Sequence, residues 1–288
     1  MACMGDMPIP VDALMDPLAP RKADDEGVKT TRIPPFEEPV HIKVLHRCED
    51  LLIVSKPYDL RIDGRGFGQT LERFVTREVS MDKFRLVHQL DFATSGVITL
   101  GLTKKGAGKA GVLFFRRNTE KFYVAIGVGH CQSPLGEAFT VTLPIEAVPD
   151  DFRMKIAEEG KHAETVVVPL FNGHVKNSVQ RGEQAGEEQI QGSKISMFLL
   201  KPISGRRHQL RLHLHAIGHT ILGDATYGSR PRPTNRMYLH AWRLKLPLPD
   251  GIVEVEAKLE REDDFSAAFE EVIDAQSLVY NAWMKLFT

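Results

Sequence analysis

Two short segments concentrate the side chains that could do chemistry. The first reads Leu86-Val87-His88-Gln89-Leu90-Asp91-Phe92-Ala93-Thr94-Ser95-Gly96. Asp91 stands in a polar turn between apolar stretches, where functional side chains are often displayed, and an ionised carboxylate there can act as nucleophile or base. Thr94, Ser95 and Gly96 can turn the chain and bond local backbone amides. Taken alone, these residues fit an aspartate capping its own loop better than a catalytic one. The second segment runs from Ser204 through Arg206-Arg207-His208-Gln209-Leu210-Arg211 to His213 and His215, then through Gly218 and Gly223-Asp224 to Tyr227-Gly228. Three nearby histidines raise the question of zinc. On a helix, however, His208 and His213 lie about 140° apart and His213 and His215 about 200° apart, whereas metal-binding helices place ligands four apart on one face. No metal site is expected. Arg207, His208 and Arg211 instead share one side of such a helix, and an arginine pair at i, i+4 can hold carboxylates or phosphates by forked hydrogen bonds.

The elements that must position these groups follow from the hydrophobic pattern. Residues 1–39 are rich in Pro, Asp and Met, have no period, and read as a flexible acidic tail. Strands are expected at 40–45, 51–54, 96–102, 122–128, 138–145, 163–170, 194–200, 236–244 and 252–258, and helices at 69–79, 104–116, 206–217 and 264–274. Residues 171–193 are polar and aperiodic and read as an insertion loop. Many strands with few helices point to an α+β fold with a central mixed, largely antiparallel sheet flanked by helices. The expected division is a catalytic domain over 40–262 and a helical C-terminal extension over 263–288.

Composition narrows the class further. With 42% hydrophobic and 26% charged residues over 288 positions, the body of the chain should fold. The longest apolar runs are too short to cross a bilayer, and the acidic start fits neither a secretory signal nor a mitochondrial presequence. Cys3, Cys48 and Cys131 are odd in number and widely spaced, which fits a reducing compartment, with the cytoplasm expected. The net charge of −1 hides segregation: Lys104, Lys105, Lys109, Arg116, Arg117 and Lys121 cluster in one stretch, and Arg206, Arg207 and Arg211 in another. Such clusters are either solvated faces or a basic surface of the kind a phosphate backbone requires.

Together the segments resemble the RluA-type pseudouridine synthases, whose signatures read HRLDxxTSG and GRxHQIRxHxxxxGxPIxGDxxYG. The resemblance runs from about Val40 to Leu244 and includes Lys56-Pro57, the Lys121-x-Tyr123-x-Ala125 strand, Gly160-Lys161-x-Ala163-x-Thr165 and Arg236-Met237-x-Leu239-His240-Ala241. Six blocks in order make the match specific. It implies an enzyme that isomerises uridine in structured RNA, rRNA or tRNA, with no cofactor and no metal. By position, Asp91 is the essential aspartate, which attacks C1′ or removes a sugar proton. Tyr123 is the tyrosine that packs on the uracil and takes the C5 proton, and Arg211 is the arginine that pairs with the aspartate. RNA contacts are expected from Gln89, Lys104, Lys105, Arg116, Arg117, Lys121, Arg206, Arg207 and His208.

Two departures stand out. Gln89 replaces the arginine usual before Leu-Asp, a change that some eukaryotic members share and that implies altered RNA engagement. Gly218-His219-Thr220 replaces Gly-x-Pro. The family's accessory RNA-binding domain is expected to be absent, so that the catalytic domain, expected to be monomeric, binds RNA itself or through an accessory RNA-binding or ribosome-assembly partner. Gln89 keeps a second reading open: a catalytically silent RNA-binding or ribosome-assembly protein on the same fold.

Overall fold

The computed structural model describes residues 42–64, 69–79, 84–176, 192–228, 234, 236–259, 265–271 and 273–288. The expected tail over 1–39 lies outside them. The described residues group into two compact units, one from Ile42 to Lys121 with His240–Ala257, the other Phe122–Leu239 with Lys258–Thr288. They are called here the aspartate unit and the arginine unit, after Asp91 and Arg211.

In the aspartate unit, β1 (Lys43–Arg47) pairs antiparallel with β2 (Leu51–Lys56), and β2 with β4 (Ser95–Gly101), whose other edge also takes the short β3 (Arg85–Leu86). β11 (Leu239–Leu248) joins β4 in parallel and β12 (Gly251–Glu256) antiparallel. That parallel pairing makes the sheet mixed. Every residue of β4 is buried, as expected of an apolar strand covered on both faces. Helix α1 (Leu71–Val79) starts where Thr70 Oγ1 accepts from the Arg73 amide at 3.2 Å, and it buries Leu71 and Val75 one turn apart. Helix α2 (Lys104–Phe115) is capped by Thr103, whose hydroxyl accepts from the Gly106 amide at 2.9 Å. Its inner face packs Ala110 against Leu51 and Leu246, with Leu113 and Phe114 at the margin.

In the arginine unit, β5 (Glu120–Val128), β10 (Lys194–Pro202), β9 (Glu164–His174) and β6 (Phe139–Thr142) lie side by side in that order, all antiparallel. A small hairpin, β7 (Ile145–Ala147) with β8 (Met154–Ile156), stands apart. Its Ile145 packs with Ala163, Leu212 and Tyr227, so the hairpin shares a core with helix α3 (Gln209–Ala216). Helix α4 (Ala275–Phe287) closes the chain. No helix among the described residues is long and apolar enough to cross a membrane.

The α+β class and the mixed, largely antiparallel pairing match the sequence reading; several boundaries do not. The helix expected at 264–274 is a single 3-10 turn, Ser266–Ala268, followed by α4. Phe265 and Phe269 are buried there, and Phe269 bridges Val175, so their spacing reflects a turn against a strand end. The true helix begins where Asp274 accepts from the Ser277 amide at 3.1 Å, and it buries Val279 and Trp283. The loop expected at 171–193 is shorter, because β9 continues through His174 and β10 begins at Lys194; residues 177–191 lie outside the described ones. The helix expected from 206 starts at Gln209, because His208 has φ +55° and no right-handed helix can pass through it.

Candidate active site

Asp91 sits on the turn between β3 and β4, half-buried, and the backbone around it is fastened at successive points. Its own carbonyl accepts from the Thr94 amide at 3.1 Å. The next carbonyl, of Phe92, accepts from the Lys56 ammonium at 3.0 Å. Lys56 is fully buried and also donates to the carbonyls of Pro57 at 2.8 Å and Leu60 at 3.2 Å, so one cation ties three backbone oxygens together. A buried charge is tolerable only with such partners. Ser95 Oγ lies 2.8 Å from His240 Nδ1, and His240 Nε2 lies 2.8 Å from the Ala257 carbonyl. The carbonyl must receive a proton, so Nε2–H donates to it and Nδ1 accepts from Ser95. Gly96 has φ +103°, and a Cβ there would stand 2.2 Å from the Ala241 carbonyl oxygen. Only glycine lets β4 meet β11 at that point.

On the approach to Asp91, the His88 ring stacks on Phe114, with centroids 4.3 Å apart and planes 15° apart, and Nε2 accepts from the Thr99 amide at 3.0 Å. Burial first, then the charge of Lys121, push His88 down to about 3 against the opposing bond to the Gln89 backbone. It is therefore a neutral strut, with its proton on Nδ1. Lys121 lies 5.9 Å from the Phe114 ring centroid, and its own pKa is lowered by burial and by Arg117. Gln89, Lys104, Lys105, Arg116 and Arg117 are exposed in this unit.

In the arginine unit, the chain enters α3 through a set of side-chain bonds. Gln209 Oε1 accepts from Ser204 Oγ at 2.7 Å and from the Arg206 amide at 3.0 Å, while its Nε2 donates to the Glu164 carbonyl and to Thr165 Oγ1, each at 2.9 Å. Arg211, one turn into the helix's N-terminal half, is buried and forked onto Asp224: Nε to Oδ2 at 2.7 Å and NH2 to Oδ1 at 2.8 Å. Asp224 Oδ1 also accepts from the amides of Thr226 at 2.8 Å and Tyr227 at 3.2 Å. Burial works to raise the Asp224 pKa, but the Arg211 fork, its charge and the two amides win and hold it below the usual carboxylate value. Gly223 makes the fork reachable. With φ +78°, it bends the chain where a Cβ would stand 2.0 Å from the Arg236 carbonyl oxygen. The Arg211 guanidinium also lies 5.1 Å from the Tyr227 ring centroid.

The three histidines of this segment are structural. His208 Nδ1 is 2.7 Å from the Tyr227 hydroxyl, which is also bonded to the amide and carbonyl of Met154. His213 bonds Thr165 Oγ1 and the Leu143 carbonyl, each at 3.0 Å, and burial pushes it down to about 4 despite the Leu143 bond, with His162 adding to the fall. His215 Nδ1 meets Thr220 Oγ1 at 2.7 Å. The arginine-pair geometry expected of α3 also changes. Arg207 and His208 precede the helix and do not share its face with Arg211. Arg207 is exposed, Arg206 donates through Nε to the His162 carbonyl at 3.0 Å, and His208 is buried, so its part is to anchor the entrance of α3 and not to touch phosphate.

Tyr123 lies on β5 opposite Leu200 of β10, half-buried. Its neighbour Phe122 points to the other face, onto Trp283 and Phe287 of α4. The alternation of a pleated strand thus separates Tyr123 from the core residue beside it. Of the residues singled out from sequence, Asp91, Gln89 and the cations of α2 fall in the aspartate unit; Tyr123, Arg206, Arg207, His208 and Arg211 fall in the arginine unit. Sequence reasoning assigned no role to Lys56, His240, Gln209 or Asp224, although each stood in a recognised block. The signal for Asp224 was its place directly after Gly223, a glycine that turns the chain back on itself.

The sequence model of a family described as RNA pseudouridylate synthase matches residues 50–216. RNA pseudouridylate synthase domain-containing protein 1 of Homo sapiens is 34% identical over 230 residues, covering 75% of this chain and 70% of the relative. The dual-specificity RNA pseudouridine synthase RluA of Salmonella typhimurium is 32% identical over 222 residues, covering 75% of this chain and 90% of its own. Among solved structures, human RNA Pseudouridylate Synthase Domain Containing 1 superposes with a TM-score of 0.69 at 31% identity, over 86% of this chain and 97% of that one.

Proposed function

The chain belongs to the RNA pseudouridylate synthase family, and from that premise we propose that it isomerises particular uridines of structured RNA, rRNA or tRNA, with Asp91 as the catalytic carboxylate. It is an isomerase, and relatives named as synthases disfavour a silent RNA-binding role. The reaction breaks N1–C1′, turns the uracil, forms C5–C1′, and moves one proton from C5 while N1 gains one. Nothing is oxidised or reduced. Asp91 acts at the sugar, as nucleophile on C1′ or as base, and either route needs an ionised carboxylate held at one position. Tyr123 offers the extruded uracil a stacking face and accepts its C5 proton. Arg211, whose place in its block matches the family's paired arginine, completes the proposed set.

The observation that carries this reading is the fastening of the Asp91 turn. Lys56 and His240, which hold Phe92 and Ser95, come from two other blocks shared with the family. Exposed Lys104, Lys105, Arg116, Arg117 and Arg207, with Gln89, Lys121 and Arg206, form the proposed RNA contacts. The domain boundaries proposed are 40–262 for catalysis and 263–288 for the C-terminal extension. Free Cys48 and Cys131 fit a reducing compartment, the cytoplasm.

Asp91→Asn tests the assignment, because the amide keeps the size and removes both chemistries. Pseudouridine formation on total RNA from cells lacking the protein should fall by roughly a thousandfold or more, with thermal unfolding and RNA affinity unchanged. Turnover within about tenfold of the parent overturns the role of Asp91.

A further inference from the structure

Helix α2 carries glycines on both faces, and only the inner one is explained by packing. A Cβ at Gly106 would stand 2.3 Å from the Asp50 carbonyl oxygen, so close helix–loop contact requires that glycine. Gly108 and Gly111 would meet nothing within 4 Å. At about 100° per residue, Gly108, Gly111, Val112 and Phe115 share one outward sector of about a quarter of the helix. Glycine weakens a helix relative to alanine, and no contact among the described residues offsets that here. On the same sector Phe115 is 89% exposed and Val112 47% exposed. A bare backbone strip thus ends in an aromatic ring in water.

Cations flank the strip. Lys104, Lys105, Arg116 and Arg117 are exposed, and the helix has no acidic residue in its first turn. Lys109, to one side, is bridged to Asp250, whereas none of these four forms an ion pair among the described residues. Arg117 has φ +60° just past the helix, a place glycine usually takes. An arginine is kept there against backbone strain. The same helix also reaches the Asp91 turn within this unit, since Phe114, next to Phe115 on its inner margin, is the ring on which His88 stacks, and His88 precedes Asp91 by three positions.

We propose that the outer face of α2 binds single-stranded RNA, with an unpaired base stacked on Phe115 and the neighbouring phosphates held by Lys104, Lys105, Arg116 and Arg117. This rests on the reading of the substrate as RNA and adds the strand state that it recognises. A duplex keeps its base faces covered, so an exposed aromatic ring selects unpaired nucleotides. The cations supply affinity without sequence preference, and the open glycine backbone lets the sugar–phosphate chain approach closely.

The test titrates the full chain with a fluorescein-labelled oligouridylate and with an RNA duplex of equal length, over a range of salt. Phe115→Ala should weaken single-strand binding roughly tenfold, with the salt slope unchanged and duplex binding unmoved. Phe115→Tyr should restore it. Arg116→Gln with Arg117→Gln should make the log–log salt slope shallower by about 1.4, from about 0.7 per lost contact. Equal single-strand affinity for parent and Phe115→Ala overturns the proposal, as does an equal loss on duplex. So does a loss confined to phosphatidylserine vesicles, which would assign the face to an anionic membrane. The outcome separates from that of the synthase reading. Phe115-dependent strand binding in a protein inactive on every RNA keeps the platform and removes the enzyme, whereas full activity with Phe115-independent binding does the reverse.

Discussion

The turn that carries Asp91 and the helix that carries Arg211 are held by opposite means. Around Asp91 the restraints act on the main chain: the Thr94 amide, the Lys56 ammonium on the Phe92 carbonyl, and the close passage of Gly96 against Ala241. Around Arg211 the restraint acts on the functional group itself, because the guanidinium is forked onto Asp224. The first device fixes where a carboxylate stands by holding the backbone beneath it. The second fixes a guanidinium and offsets its charge, so that one residue tunes the electrostatics of another. Mutations in the two regions should therefore fail in different ways, one through position and the other through charge.

The largest effect is expected in the arginine unit. Arg211→Met strands the buried Asp224 carboxylate and should cost about 3–5 kcal/mol in urea unfolding. Asp224→Asn keeps the arginine and loses less. The double variant should be more stable than the sum of the two losses, since it removes both charges. If Arg211 belongs to the catalytic set as proposed, Arg211→Met should also lower kcat well beyond its stability loss, measured where the variant is still folded, whereas Asp224→Asn, which keeps the guanidinium, should lower it less. Parental kcat in folded Arg211→Met would separate the fork from catalysis.

In the aspartate unit, Lys56→Met takes a donor from one buried and two partly buried carbonyls and should cost about 2–4 kcal/mol. Because its partners are backbone oxygens around the turn, kcat should fall further than the stability loss accounts for, at a temperature where the variant is still folded. A variant that is merely less stable, with parental kcat when folded, would reduce Lys56 to a core prop.

A smaller effect concerns acid. His88 and His213 are held neutral down to about 3 and about 4. Between the ordinary histidine value and these, the unfolded chain binds protons that the native chain does not, so stability falls as pH falls through that window. The slope is about 1.4 kcal/mol per pH unit for each group. It should end first for His213, near pH 4, and later for His88, near pH 3. Asp224, depressed by its fork, adds its loss only below the usual carboxylate range. His88→Gln, which keeps an acceptor for the Thr99 amide, should remove one group's slope in urea unfolding between pH 6.5 and pH 4. An unchanged slope would mean that His88 titrates normally.

The aspartate turn was the more legible of the two regions, and the reason is local. A polar break between apolar runs with Thr94-Ser95-Gly96 behind it states a turn and a strand start in adjacent residues. The helix around Arg211 depends on contacts that no short window contains. His208 departs from helical backbone because Tyr227, nineteen positions on, takes its ring, and the Arg211–Asp224 fork spans thirteen positions across a left-handed glycine. The strands β7 and β8 were invisible for a related cause: three residues each is too short for alternation to register. At the C-terminus the apolar cluster Phe265–Phe269 imitated a helix face, while the cap that starts α4, Asp274 with Ser277, went unread.

The smallest expected effect, and the one that sharpens the contrast most, is Gln89→Arg. Gln89 is exposed two positions before Asp91, on the side where restraints act on backbone, so replacing it should leave the turn and its stability unchanged. Arginine adds a charge and a planar stacking surface, which should tighten nonspecific RNA binding by roughly two- to fivefold at low salt. If glutamine suits one RNA, modification of the native uridine should be unchanged or poorer while stray modification rises, because the added affinity is not specific to that site. Pseudouridine mapping on total RNA from a deletion strain, with parent and variant compared, reads both quantities at once. A parent inactive under conditions where it binds RNA, with activity appearing only in the arginine variant, would mean that position 89 had been lost to catalysis rather than adapted. The fastening of the Asp91 turn would then be a relic of a reaction this chain no longer performs.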